Sequence, residues 1–244
     1  MTTLDGRTAL VTGAGRRVGR AIALGLGARG MHVVVHYNGT EDGARETAAA
    51  ITAGGGRASV MQADLSETRE AEHLIDRVVG EHQDLAVLVN SAAIMTRTPV
   101  GETSVSQWDE MFALNVRAPY FLAQRAAPAL RAARGAIVNI ADLAAFETWP
   151  AYVPHSMTKA AIVQMTRGLA HALAPEIRVN AVAPGVVLLP DDWSEADGEH
   201  LRRTTPLQRL GSPDDVVGAV LYLLDADFVT GEVICVDGGR HVRT

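Results

Sequence analysis

His155 and Lys159 stand four residues apart at the start of a helix-like run, Trp149-Pro-Ala-Tyr-Val-Pro-His155-Ser-Met-Thr-Lys159, and Asp142 closes the strand-like run Ile137-Val-Asn-Ile-Ala-Asp142 before it. A four-residue interval on a helix puts two side chains on one face. Histidine, with an ordinary pKa of about 6.5, can give or take a proton near neutrality. A carboxylate such as Asp142 beside it would favour the imidazolium, and the Lys159 ammonium would oppose it. A carboxylate drawn out of water also seeks a cation. Proton relay and recognition of a positive charge are therefore the chemistries open to these residues.

A second constellation lies near the amino end. Thr12-Gly-Ala-Gly-Arg-Arg17-Val-Gly19 follows a β-rich run and opens a helix-like one, the setting in which a glycine-rich turn holds a nucleotide. Gly13 and Gly15 permit a tight turn. Around Arg16, Arg17 and Val18 the new helix offers free N–H groups and partial positive charge to a pyrophosphate. The second β-rich run ends His36-Tyr37-Asn38-Gly39-Thr40. An NAD site wants a carboxylate there for the ribose 2′-hydroxyl, and none stands at 36–38. Arg17, helped by Arg16, His36, Asn38 and Thr40, offers charge-assisted bonds to a 2′-phosphate instead. NADPH is the expected cofactor.

Both constellations need a frame. β-rich runs at 8–12, 33–36, 59–62, 87–90, 136–140, 179–183 and 232–236 alternate with helix-length segments near 18–29, 42–53, 67–82, 107–133, 156–173 and 213–224. The strands are nearly continuous Val, Ile and Leu, as in parallel sheets covered on both faces. The expected fold is one α/β domain over 1–244, a Rossmann-type, doubly wound and mostly seven-stranded parallel sheet. Asp42, Ser66 and Ser212-Pro213 mark helix starts, while Gly135 and Pro175 mark ends. Residues 185–211, with Asp191-Asp192-Trp193, look like a long irregular insertion, suited to a lid or substrate-binding loop.

Composition narrows the partners. Of 244 residues 48% are apolar and 20% charged, the balance of a globular chain long enough to bury a core. Cys235 is the only cysteine, so no disulfide can form within the chain, and the residues around Asp5-Gly6-Arg7 carry no signal-type apolar stretch; a cytoplasmic location is expected. No apolar run nears the roughly 18 residues that cross a bilayer, and a net charge of −6 gives no basic footprint for nucleic acid. A small molecule is the expected partner, with no membrane, nucleic acid or metal.

Together these motifs resemble the short-chain dehydrogenase/reductase family along nearly the whole sequence. The resemblance implies that Asp64-Leu65 hold the adenine ring, that Asn90-Ser91-Ala92-Ala93 support the cofactor, and that Pro184-Gly185 to Val187 lie near the nicotinamide amide. Val236-Asp237-Gly238-Gly239 closes the chain in the family manner. In the family an asparagine, a serine, a tyrosine and a lysine form a proton relay, and here the four places hold Asn115, Asp142, His155 and Lys159. The lysine's implied task is to hold the nicotinamide ribose hydroxyls. Arg17 in a glycine place and Asp142 in the serine place resemble the pteridine-reductase branch, whereas His155 in the tyrosine place departs from it. Met95 stands where that branch stacks an aromatic ring on its substrate, and gives a softer wall. Met95, Asp142, Trp149, His155 and Trp193 are the expected substrate contacts. Tyr152 precedes Pro154 and the helix start, a place for a stand-in phenol or a pocket wall.

His155 admits three outcomes. It replaces the tyrosine as proton donor, or the donor is dispensable, because an iminium carbon accepts hydride to give a neutral amine without an acid, or turnover is lost. The expected function is NADPH-dependent reduction of a C=N or iminium bond in a pterin-like or other cyclic molecule. Carbonyl reduction with His155 as acid, and a catalytically silent NADP-binding or regulatory protein, are the alternatives. Family resemblance further implies a homotetramer or homodimer, with contacts on 107–133 and 156–173.

Overall fold

Residues 4–189 and 194–242 are described by the computed structural model. The strands β1 (Thr8–Val11), β2 (His32–Tyr37), β3 (Arg57–Gln62), β4 (Val87–Asn90), β5 (Ala136–Ile140), β6 (Arg178–Pro184) and β7 (Val233–Val236) form one sheet in the order β3-β2-β1-β4-β5-β6-β7. All neighbours run parallel, with Val11 beside both Val35 and Val89. Side chains alternate between faces along a strand, so β1 sends Ala9 and Val11 into one core and Leu10 into the other. Helices α1 (Arg17–Ala28), α2 (Glu41–Ala53) and α8 (Pro213–Asp225) cover the first core through Ile22, Leu26, Ile51, Val216 and Val220. On the opposite face α3 (Thr68–His82), α5 (Ala118–Ala133) and α6 (Val153–Leu173) contribute Leu74, Ile75, Leu122, Leu130 and Ala170. The doubly wound sheet is thus covered on both sides. Its strand order reverses between β1 and β4, and the carboxyl ends of the strands there open the crevice that such sheets use for ligands.

Several boundaries differ from the sequence-based expectation. Helix α2 starts after Thr40 and α3 after Glu67, neither with a side-chain cap. Ser66 donates its hydroxyl to Asp64 Oδ1 at 2.7 Å, which takes it out of the capping role. The single helix expected over 107–133 is two, because a π turn at Ala113–Arg117 separates α4 (Val105–Phe112) from α5. Such turns insert one residue and redirect the side chains around them. Segment 185–211 is also not irregular throughout: it contains α7 (Glu195–Thr204), whose start is locked by a reciprocal box between Ser194 and Asp197. Helix α8 starts at Ser212-Pro213 as expected, and Ser212 makes the same box with Asp215.

Candidate active site

At the end of β1, Thr12 Oγ1 accepts the N–H groups of Ser91 (2.9 Å) and Ala92 (3.0 Å). This fastens the glycine-rich turn to the end of β4. Gly13 has φ +65° and a Cβ there would lie 2.9 Å from Ala92 Cα, so both strain and space demand glycine. Gly15 serves close approach rather than turning: its Cβ would lie 2.7 Å from Thr40 Oγ1. A Cβ on Gly19 would collide with the Gly13 carbonyl, so α1 can pack on the turn only with glycine there. The left-handed residue at the helix start is Arg17, at φ 51°.

Two residues expected to bind phosphate are otherwise engaged. His36 is buried, its Nδ1 accepting the Gly13 N–H (3.1 Å) and its Nε2 donating to the Ala63 carbonyl (3.1 Å). Burial pushes its pKa down to about 4, against the opposing pull of the Ala63 bond. His36 is therefore neutral and props the turn; it supplies no positive charge. The Arg17 guanidinium reaches across the cleft and donates to the Leu188 (3.3 Å) and Leu189 (3.5 Å) carbonyls. Arg16, Tyr37, Asn38, Gly39 and Thr40 line that end of the cleft with no carboxylate among them.

At the other end, Asp142 follows β5 and caps a short 3-10 turn (Leu143–Ala145), its Oδ1 accepting the Ala144 N–H at 2.8 Å. Its Oδ2 lies 3.7 Å from His155 Nε2. His155, in the first turn of α6, is 2% exposed and has no hydrogen-bond partner on either ring nitrogen. One turn on, Lys159 is 5% exposed and donates to the Ile140 carbonyl at 3.0 Å. Its burial lowers the ammonium pKa, and Asp142 acts the other way. The fold therefore assembles Asp142, His155 and Lys159 where the sequence spacing expects them.

Asn115 is different. It sits in the π turn, where its Oδ1 accepts the Ile94 N–H (2.9 Å) and its Nδ2 donates to the Ile94 carbonyl (2.9 Å) and Thr158 Oγ1 (3.2 Å). Its amide braces the strand-end loop of β4 against α6 instead of lining the cleft. Asn90 likewise turns inward, donating to Asn139 Oδ1 at 2.8 Å.

These ends belong to one cleft of about 840 Å³, bounded by Gly13, Val18, Asp64, Leu65, Ser91, Ala92, Met95, Pro184, Gly185 and Val187 as well as the residues above. That size suits a ligand site. Trp149 and Tyr152 form its outer wall, their rings edge to face at 6.3 Å, with the indole N–H fixed on Glu147 Oε2 at 3.0 Å. Trp193 lies outside the described residues. Glu110, Leu114 and Arg240 line the cleft too. Sequence reasoning missed them, and missed the fastening role of Thr12, since only strand register and helix packing bring them in. No group of three or more metal-ligating side chains occurs among the described residues, and no helix there is long and apolar enough to cross a membrane.

A parallel sheet with this strand order, a glycine turn at the switch point and a lysine one turn into the helix after β5 define a dinucleotide-dependent oxidoreductase. A family model described as enoyl-(acyl carrier protein) reductase matches residues 13–241. The 3-oxoacyl-(acyl-carrier-protein) reductase of Synechocystis is 35% identical over 98% of this chain and 98% of its own. Among solved structures, the angucycline C-6 ketoreductase LanV with bound NADP aligns with TM-score 0.92 and 33% identity, over 99% of this chain and 98% of that one. The FolM alternative dihydrofolate reductase 1 of Brucella canis complexed with NADP reaches 0.94 and 33%, over 100% and 97%. The chain belongs to the short-chain dehydrogenase/reductase family and is an NADP-dependent oxidoreductase.

Proposed function

We propose that this enzyme reduces a C=N or iminium bond in a cyclic small molecule, in the manner of the pteridine-reductase branch. One observation carries the reading: Asp142 keeps an oxygen unbonded beside the unpartnered ring of His155, and no phenol occupies that place. NADPH supplies the hydride when bound. The Gly13 turn, the first turn of α1, Asp64-Leu65, Ser91-Ala92 and Pro184 to Val187 would hold it, and Arg16, Asn38 and Thr40 would meet its 2′-phosphate. Lys159, which donates to the Ile140 carbonyl, would hold the ribose hydroxyls. Asp142 faces the substrate cation, which a half-buried carboxylate stabilises better than it does a neutral ketone. Met95, Trp149, Tyr152 and His155 shape the ring pocket, and Asn115 braces it. The dihydrofolate reductase relative, whose named substrate is itself a C=N compound, supports the reading.

Carbonyl reduction with His155 as the acid is the second reading, favoured by the ketoreductase relatives and the 3.7 Å approach of Asp142. NADPH oxidation by the native enzyme and by His155→Ala, against panels of ketones, dihydropterins and cyclic iminium ions, separates the two. Iminium turnover that survives in His155→Ala supports the proposal; ketone-only turnover lost in that variant overturns it. Exposed Tyr120, Val153 and Met157 on α5 and α6 suit a homodimer or homotetramer contact.

A further inference from the structure

His155 carries more base than hydride transfer to an iminium needs. Both of its ring nitrogens are buried and unpartnered, it borders the cleft, and a carboxylate oxygen stands 3.7 Å from Nε2. A nitrogen base with an adjacent carboxylate is the arrangement that general-base catalysis uses, the carboxylate stabilising the imidazolium as it forms. We infer that His155 removes a proton from the carbon α to the substrate's C=N bond, so that the same site interconverts cyclic iminium and enamine forms without any cofactor. It rests on iminium recognition by this site, but on no redox step.

The reaction balances within the site. The α C–H bond breaks, its electron pair becomes the C=C bond, and the C=N π pair moves onto nitrogen; the proton goes to a ring nitrogen of His155. Positive charge passes from substrate to imidazolium. Asp142 is placed to face that charge before and after, so the step leaves no unpaired charge behind. The reverse step returns a solvent-exchanged proton to carbon. Such an enzyme would accept substrate from either the enamine or the iminium pool, and would scramble any stereocentre at the α carbon before reduction fixes it.

Deuterium exchange tests this. The probe is 1,2-dimethyl-3,4-dihydroisoquinolinium in D₂O, followed by loss of the C1-methyl proton signal with native protein and no nucleotide. Exchange about 100-fold above the buffer rate is expected, the lower end of general-base contributions. His155→Phe and His155→Gln, with folding checked by circular dichroism and by NADPH affinity, should each return to the buffer rate, and Asp142→Asn should fall between. A native rate equal to buffer, or a folded His155 variant that exchanges like native protein, overturns the inference. NADPH oxidation with the same probe is read separately on native protein. Oxidation without exchange leaves iminium reduction standing and removes the tautomerisation; exchange without oxidation does the reverse.

Discussion

Asp142 Oδ2 and His155 Nε2 face each other at 3.7 Å, beyond hydrogen-bond reach, while Asp142 Oδ1 is tied to the Ala144 N–H. The carboxylate is thus held by one oxygen and presents the other to the cleft. The proposed substrate cation would lie against that free oxygen, beside the imidazole.

Replacing Asp142 by Asn keeps an oxygen for the Ala144 N–H and removes the charge. Catalytic efficiency toward a permanently charged iminium should fall about tenfold to a hundredfold, the worth of a charge-assisted contact. NADPH affinity and thermal midpoint should move little. Equal loss for charged and neutral substrates would mean that Asp142 acts only on the backbone turn.

His155→Tyr places a phenol one turn from Lys159, whose buried ammonium lowers a neighbouring phenol's pKa. Ketone reduction should rise in that variant relative to native protein, measured as kcat/KM for a cyclic ketone. No gain would show that the pocket, not the missing phenol, excludes ketones.

Arg16→Ala should weaken NADPH binding without affecting NADH, because Arg16 borders the end of β2. Arg17→Ala should weaken both alike, since its guanidinium bonds the Leu188 and Leu189 carbonyls across the cleft. Dissociation constants for the two nucleotides decide this; a loss specific to NADPH in Arg17→Ala would restore it to the phosphate.

His36 predicts an acid limit. Its folded pKa, about 4, lies below the ordinary 6.5, so the unfolded chain takes up the proton first. The stabilising contribution is therefore complete above about pH 6.5 and declines as pH falls, by about 3 kcal/mol near pH 4. Urea midpoints of native protein and His36→Gln should converge over that window. A constant difference would show that His36 stays accessible to protons.

Much of this was legible in the sequence, and the remainder follows a physical pattern. The strands were readable because a sheet buried on both faces demands unbroken Val, Ile and Leu, as in Val33–Val35 and Val87–Val89. Asp142, His155 and Lys159 were readable because β5 and α6 are joined closely enough for sequence spacing to fix spatial spacing. The starts of α2 and α3 were not, since Thr40 and Glu67 make no capping bond and the Ser66 hydroxyl is taken by Asp64. Ala113–Arg117 contains no glycine or proline to break a helix, so nothing local announced the π turn that points Asn115 at Ile94. The capping signature Ser194 to Asp197 was present but unread. Arg17 and His36 carried the right residue types for phosphate; their partners, Leu188 and Ala63, lie in the segments that follow β6 and β3, and only the assembled sheet brings them near.

The most direct measurement compares hydride transfer from NADPH, in single turnover, to an N-methyl cyclic iminium ion and to the cyclic ketone of the same ring size. Reduction of the iminium at least about 100-fold faster than that of the ketone is the expected result, consistent with a site that stabilises positive charge and lacks a phenol donor. A ketone reduced as fast as the iminium, or faster, would contradict it.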